Sequence, residues 1–277
     1  MNKSINKYLS LLLILTLSVF SYINRQEIKR YYLAIKTNST SFKSNEIDGE
    51  LKYRIFEPKD LSREVPLIIY LHGAAQRGED NIKQLDDVAF AFTSKKVQKN
   101  YPCYFIAPKH NSKEGYWINY IDKPGPLGHY SQKTMKESDE EKLIVELIVK
   151  LMNEKPIDPS RIYITGYSMG ATGTWDIISR YPDLFAAAIP IAGLTDTATA
   201  CKLNNIGIWI HHGMLDPLVP IEISTEMAQE LEKYNNNVMM TAYPNKGHGI
   251  IHEVYSNNKV IEWLFSQTIL IKEPKTN

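Results

Sequence analysis

The sequence is poor in cysteine, almost balanced in charge, and without an apolar run long enough to cross a membrane. Its two cysteines, Cys103 and Cys201, have neither a Cys-x-x-Cys spacing nor a metal-site spacing. They could form one disulfide in an exported protein or remain free thiols. A formal net charge of +1 over 277 residues gives no case for a nucleic-acid partner. Ordinary hydrophobic content, 43%, favours one large globular α/β domain.

The first twenty residues have the layout of a targeting segment. Lys3 and Lys7 precede about a dozen mostly apolar residues at 9–20, which is typical of a secretory signal and short of the roughly 20 residues of a membrane span. Arg25 follows closely, which is atypical of a cleaved signal. Residues 1–21 are therefore interpreted as a cleaved export signal or an uncleaved membrane anchor, with a buried helix as a third alternative. We expect an exported protein, whether periplasmic, secreted or anchored at its N-terminus.

Strand and helix patterns alternate along the rest of the chain. Residues 22–48 read as a polar spacer, helical at most near 31–35, and residues 49–270 as the catalytic domain. Apolar and β-branched runs predict strands at 51–56, 66–71, 103–107, 162–165, 185–191, 206–210 and 238–243. Helical periodicity predicts helices at 81–94, 138–151, 169–180, 221–234 and 255–267. This alternation predicts a doubly wound, mainly parallel sheet with helices on both faces.

A glycine-flanked serine stands between one predicted strand and the helix that follows. Gly166-Tyr-Ser168-Met-Gly170 matches the nucleophile elbow, in which a sharp strand-to-helix turn exposes the serine hydroxyl. The pentapeptide alone could arise by chance. The strand before it and the helix after it favour the functional interpretation, because glycine is needed where the backbone turns so tightly.

Two further residues at strand ends would complete a catalytic triad. A serine hydroxyl needs a base, and the base needs an orienting carboxylate. Asp216 follows the strand at 206–210, and His248 follows the strand at 238–243. Separately, Asp216 could belong to a simple turn and His248 to a surface loop. Their joint occurrence in the order Ser168, Asp216, His248 is the order of α/β-hydrolases.

The oxyanion of acyl transfer needs preorganised N–H donors. We expect one from Met169 and one from the loop that begins at His72, with Ala74 as the donor and Ala75 as its nearest competitor. Asp80 and Asn81 are interpreted as the N-cap of the next helix.

Several other residues are assigned lesser roles. The loop at 109–133 is long, aperiodic and rich in aromatic residues, and long loops in compact domains are usually functional. Candidates for substrate contact are Trp117, Tyr116 and Tyr120 in this loop and Leu215 beside Asp216. His72 is expected to fix the oxyanion loop by hydrogen bonding. The remaining candidates are read as supporting residues or surface residues rather than metal ligands: His211, His212 and His252.

These motifs together resemble the esterase branch of the α/β-hydrolase superfamily. The similar group comprises carboxylesterase/phospholipase-like or predicted-peptidase proteins, related to feruloyl esterases and polyhydroxyalkanoate depolymerases. The matching segments are residues 70–81, 158–170, 180–185, 212–220 and 247–248. The resemblance implies an α/β-hydrolase fold, a triad of Ser168, Asp216 and His248, and no cofactor. Ala171 departs from a frequent third glycine, and Gly249 with two isoleucines replaces the more usual polar residues.

The sequence therefore predicts a serine carboxylic-ester hydrolase that works through an acyl-enzyme, with no metal. The expected substrate is a small-molecule ester or an ester linked to a polysaccharide. The alternatives are a serine peptidase of the prolyl-oligopeptidase type and a catalytically inactive hydrolase fold that serves in binding. A metal-dependent hydrolase is the most distant alternative.

Overall fold

The computed structural model describes residues 25–112, 115–119 and 130–270, together with the isolated positions 8, 12, 16 and 21. The predicted signal or anchor segment therefore lies almost wholly outside the described residues and stays a prediction. Within the described part, no helix combines the length and apolar character that a membrane span needs. Cys103 is a buried free thiol and Cys201 an exposed one, so the disulfide alternative is not what the structure has.

One eight-stranded sheet organises the chain. Its strands are β1 (Asn38–Lys43), β2 (Glu50–Phe56), β3 (Val65–Leu71), β4 (Tyr104–Pro108), β5 (Ile157–Tyr167), β6 (Ala187–Ile191), β7 (Gly207–Gly213) and β8 (Val238–Tyr243). The spatial order is β1-β2-β4-β3-β5-β6-β7-β8. β2 runs antiparallel to β1 and β4, and the strands from β4 to β8 pair in parallel. The predicted mainly parallel, doubly wound sheet is confirmed.

Helices cover both faces of the sheet. They are α1 (25–36), α2 (Asp87–Phe92), α3 (Lys95–Asn100), α4 (Asp139–Glu154), α5 (Met169–Arg180), α6 (Ile221–Leu231), α7 (Ile251–Ser256) and α8 (Asn258–Ser266). Alternate residues of β3 explain why it reads as one unbroken apolar run. Leu67 and Ile69 pack with α4, α5 and α6, whereas Ile68 and Tyr70 pack with α1, α2, α3, α7 and α8. Both faces are buried, as in parallel sheets generally.

The structure corrects three local predictions. The segment predicted as a polar spacer contains α1 and the edge strand β1. The predicted helix at 81–94 begins later: Asp86, not Asp80 or Asn81, caps α2 by accepting from the Val88 N–H. Asp80 instead accepts from the N–H groups of residues 82 and 83 in a turn. The last predicted helix is two helices, α7 and α8, because Asn257 ends the first and caps the second.

The parallel strands end at one level. Leu71 pairs with Gly166, Tyr167 with Ile191, Ile191 with His211, and Gly213 with Tyr243. The loops after β3, β5, β7 and β8 therefore leave the sheet along one edge, where open α/β sheets bind their ligands.

Candidate active site

Ser168 occupies the turn between β5 and α5. Its backbone has φ 56° and ψ −119°, a conformation that costs a non-glycine residue about 1–3 kcal/mol. The turn is also crowded: a Cβ at Gly166 would lie 2.1 Å from the Gly170 oxygen, and one at Gly170 would lie 1.9 Å from the Leu71 oxygen. Only glycine fits at either position, which is the physical reason for the glycines flanking the serine.

Ser168, His248 and Asp216 form one hydrogen-bonded chain. His248 Nε2 lies 2.8 Å from Ser168 Oγ, and His248 Nδ1 lies 2.7 Å from Asp216 Oδ2. The other carboxylate oxygen, Oδ1, accepts from the N–H groups of Leu218 at 2.8 Å and Val219 at 3.0 Å. Burial acts to raise the pKa of Asp216, but these backbone donors and His248 outweigh it and hold that pKa below its usual value. Asp216 is therefore ionised at neutral pH and fixes a proton on His248 Nδ1.

The loop after β7, residues 214–219, is called here the acid loop, and the loop after β8, residues 244–250, the base loop. Their backbones touch. The Leu215 N–H donates to the Lys246 oxygen at 2.9 Å, and a Cβ at Gly213 would lie 2.1 Å from the Gly247 oxygen. This contact explains the tight geometry between Asp216 and His248, which come from separate strands.

The two N–H groups predicted as oxyanion donors both stand at the start of a helix. Ala74 is the first residue of a short 3-10 helix, Ala74–Gln76, and Met169 is the first residue of α5. The first N–H of a helix has no acceptor within that helix. The two helix starts are held together, because Gly73 packs on the elbow: a Cβ there would lie 3.1 Å from the Tyr167 ring.

His72 holds the loop after β3 by hydrogen bonds, which is the contact predicted for it. Its Nδ1–H donates to the Gly73 oxygen at 2.8 Å, and its Nε2 accepts from the His110 N–H at 3.0 Å. Burial lowers the pKa of His72 to about 3, so the ring is neutral and keeps this tautomer. Lys109, also fully buried, donates to the Gln76 oxygen at 2.5 Å.

The sequence reasoning did not identify Lys109 and His110. The sequence feature that could have identified these two residues is their position directly after Pro108, at the carboxyl end of a buried strand.

The aromatic loop residues differ in what they reach. Trp117 has no exposed surface; its Nε1–H donates to the His72 oxygen at 2.9 Å, and its Cβ packs where Gly173 leaves room. Trp117 therefore packs in the core, and the prediction that it contacts substrate is wrong. Tyr116 is 37% exposed and lies under the Arg77 guanidinium. Tyr120 lies outside the described residues. Leu215 is 65% exposed beside Asp216.

His211, His212 and His252 do not form a metal site with other described residues. Among the described residues, no group of three or more His, Cys, Asp or Glu side chains has metal-binding geometry. His252 lies in α7, whose first residue is Ile251, so the helical i,i+4 spacing from His248 does not apply. The site contains a serine hydroxyl, an imidazole, a carboxylate and two candidate N–H donors, which are the groups that nucleophilic acyl transfer uses.

The family model described as Phospholipase/Carboxylesterase matches residues 53–260 of the chain. The chain belongs to this family. The match covers the sheet from β2 onward and all three strand-end residues of the hydrogen-bonded chain. The predicted α/β-hydrolase fold and the esterase resemblance are confirmed.

Two known proteins share moderate sequence identity with the chain. A solved structure described as a thermostable esterase is 33% identical, with a TM-score of 0.77 over 86% of this chain and 64% of the other. A poly(3-hydroxyalkanoate) depolymerase C from Paucimonas lemoignei is 28% identical over 160 residues, 57% of this chain. The chain spans only 34% of that depolymerase.

Similarity in fold extends to a peptidase. The acylaminoacyl peptidase from Pyrococcus horikoshii is 17% identical, with a TM-score of 0.58 over 87% of this chain and 43% of the other. At this identity the likeness concerns the fold alone.

Proposed function

We propose that the protein is a serine carboxylic-ester hydrolase that works through an acyl-enzyme. The observation that carries this proposal is the chain from Ser168 Oγ through His248 to Asp216, with distances of 2.8 and 2.7 Å. Such a chain makes a weak nucleophile reactive at neutral pH, because the imidazole accepts the hydroxyl proton as the new bond forms. Membership of a carboxylesterase family supports an ester as the substrate.

Each step follows from the placement of these groups. Ser168 Oγ attacks the ester carbonyl while its proton passes to His248 Nε2. The N–H groups of Ala74 and Met169 stabilise the oxyanion of the tetrahedral intermediate. His248 then protonates the leaving alcohol. A water molecule, activated by the same histidine, releases the acid, and Asp216 stabilises the imidazolium in both halves of the reaction.

The exposed side chain of Leu215 and the half-exposed ring of Tyr116 are our candidates for substrate contact. The substrate that we propose is a small-molecule ester or an ester carried on a polymer. One relative is a depolymerase of poly(3-hydroxyalkanoate), and this supports an ester bond within a polymer as one possible kind of substrate.

The first test is the Ser168→Ala variant assayed on p-nitrophenyl esters. We expect a loss of kcat/KM of several orders of magnitude with unchanged thermal stability, because the nucleophile is removed and no packing contact is lost. Ser256→Ala, at the end of α7, is the matched serine control and should keep wild-type activity. Near-wild-type hydrolysis by purified Ser168→Ala would refute the proposal.

Two further measurements separate the alternatives. Labelling of wild type but not Ser168→Ala by a fluorophosphonate would rule out a catalytically inactive binding protein. Comparison of p-nitrophenyl esters with peptide anilides tests the peptidase alternative, and we expect the esters to be preferred. A higher kcat/KM on the anilides would reassign the enzyme to the peptidases.

A further inference from the structure

A second histidine contacts the carboxylate of Asp216. His212 lies in β7 and is fully buried. Its Nε2 lies 3.3 Å from Asp216 Oδ2 and 2.9 Å from the Val219 oxygen, and its Nδ1 lies 2.7 Å from Ser224 Oγ. The imidazole therefore contacts Asp216 and Val219, the last residue of the acid loop, and a buried serine of α6 holds the ring from the other side.

These contacts assign the tautomer of His212. Nε2 faces two acceptors, a carbonyl and a carboxylate, so Nε2 carries the proton. Nδ1 is then an acceptor, and the hydroxyl of Ser224 donates to it. Burial lowers the pKa of His212, which outweighs the opposite effect of Val219 and Asp216, so the ring stays neutral at neutral pH. Four groups thus form one ordered series: Ser224, His212, Asp216 and His248.

The acid loop needs such an anchor because most of it lies in solvent. Met214, Leu215 and Leu218 are 49%, 65% and 62% exposed, so few packing contacts hold the backbone that carries Asp216. The N–H donors to Asp216 Oδ1 come from the same loop and would move with it. His212, in contrast, belongs to a buried strand and ties the Val219 carbonyl to the sheet.

We propose that His212 is a positioning residue that fixes Asp216, and through it His248, in the reactive geometry. This inference rests on the proposed function, since it concerns how the same triad is held. His212 touches no reacting atom. Its loss would let the carboxylate turn away from His248 Nδ1, and small misplacements of a catalytic group lower rates by as much as about a hundredfold. Substrate binding would change little, so the effect should appear in kcat and not in KM.

The experiment compares two amide replacements of His212. In His212→Gln the amide nitrogen can reach the place of Nε2 and still donate to Val219 and Asp216. In His212→Asn the amide reaches only the place of Nδ1, so it keeps the Ser224 contact and loses the donor. We expect His212→Asn to lower kcat by about tenfold to a hundredfold with KM within about twofold. His212→Gln should recover most of this loss.

The control is His211→Gln, a neighbouring buried histidine that bonds to Tyr243 and not to Asp216. It should keep wild-type kcat even where its melting temperature falls, which separates positioning from a general effect on stability. Ser224→Ala should lower kcat by less than His212→Asn does, because the imidazole stays but loses the partner that fixes its tautomer. If His212→Asn does not fold, Ser224→Ala and His212→Gln together test the positioning role of His212.

The outcomes distinguish this inference from the proposed function. If Ser168→Ala retains activity, the triad assignment itself is wrong. If Ser168→Ala is inactive but His212→Asn and Ser224→Ala have wild-type kcat, only the positioning role of His212 is refuted. Equal losses of kcat in His212→Gln and His212→Asn would likewise refute it, since the restored donor would then have no effect.

Discussion

At the scale of single residues, the elbow shows how sequence and geometry constrain each other. Ser168 adopts a positive φ that a serine rarely adopts, and it can do so because its surroundings hold it there. Gly166 faces the Gly170 oxygen, and Gly170 faces the Leu71 oxygen. The two glycines thus let α5 start directly against the end of β3 and the loop that follows it.

The cost of filling this space can be measured. Gly170→Ala should lower the free energy of unfolding by about 3 kcal/mol, because the new Cβ would meet backbone atoms that cannot move aside. Gly249→Ala, next to His248, is the matched control: a Cβ there has nothing within 4 Å and should change stability by less than about 0.5 kcal/mol. Urea unfolding followed by circular dichroism tests both. Equal stabilities of the two variants would contradict the steric argument.

The hydrogen-bonded chain of Ser168, Asp216 and His248 was predictable from the sequence, whereas its supports were predictable only in part, since His72 and His212 are expected as supporting residues and Lys109 and His110 are not. Ser168, Asp216 and His248 each stand at the end of an apolar run, so the topology of a parallel sheet brings them together. Lys109 and His110 stand at a strand end too, but nothing in their residue types distinguishes a buried clamp from a surface loop. Trp117 was read as a substrate contact because its loop is aperiodic, and burial of its ring depends on tertiary packing.

At the scale of secondary structure elements, the interior strands were easier to predict than the edge. β3 and β4 are buried on both faces and are continuous apolar runs. β1 has the sequence Asn-Ser-Thr-Ser-Phe-Lys with only Phe42 buried, and it is held by backbone pairing with β2. Such a strand carries no apolar period, so the segment resembled a spacer.

A buried arginine of β2 is one of the groups that attach this N-terminal segment to the domain. The Arg54 guanidinium donates to the Asn81 oxygen at 2.7 Å and to the oxygens of Ala34 and Thr37 at 3.1 Å each. The end of α1, β2 and the loop after β3 therefore meet at one cation. Replacing that cation would leave three carbonyl groups without their donor.

We expect Arg54→Met to destabilise the protein by roughly 3 kcal/mol. Backbone hydrogen exchange should rise first at residues 25–43, because the substitution removes the hydrogen bonds from Arg54 to the end of α1. Lys52→Met, on the half-exposed position of the same strand, serves as the control and should exchange like the wild type. Uniform exchange across the sheet in Arg54→Met would show that the residue does not act through α1.

At the scale of the whole molecule, two buried carboxyl groups join α4 to α5. Glu141 lies against Asp176, and both are buried. Asp176 accepts from Tyr130, from Gln132 at 2.9 Å and from Arg180 at 2.6 Å, so it carries the charge. Burial, together with that charge, raises the pKa of Glu141. Glu141 is therefore protonated in the folded protein and donates to Asp176.

This protonation makes global stability depend on pH. The pKa of Glu141 is higher in the folded state than in the unfolded chain, where it is near 4.5. Its contribution to stability is therefore complete below pH 4.5 and is lost as the pH rises towards the folded-state pKa. Glu141→Gln keeps an N–H donor for Asp176 and removes the titration.

We expect the stability of Glu141→Gln relative to wild type to rise by about 1 kcal/mol per pH unit between pH 6 and pH 9. Groups common to both proteins cancel in this difference. Urea titrations at pH 6, 7.5 and 9 measure this difference in the free energy of unfolding. In the control Glu146→Gln, elsewhere on α4, the difference from wild type should not change with pH. A constant difference across this range would show that Glu141 is already ionised in the folded protein.

The contact between Gly213 and Gly247 has a consequence for redesign of the enzyme. Because the two backbones meet without room for a methyl group, a graft that lengthens the acid loop must be designed together with the base loop. Substitution of the exposed apolar side chains of the acid loop, Leu215 and Leu218, is a simpler way to redesign the site. Selection on those two positions can change the surface offered to a substrate while the paired loop backbones stay as they are.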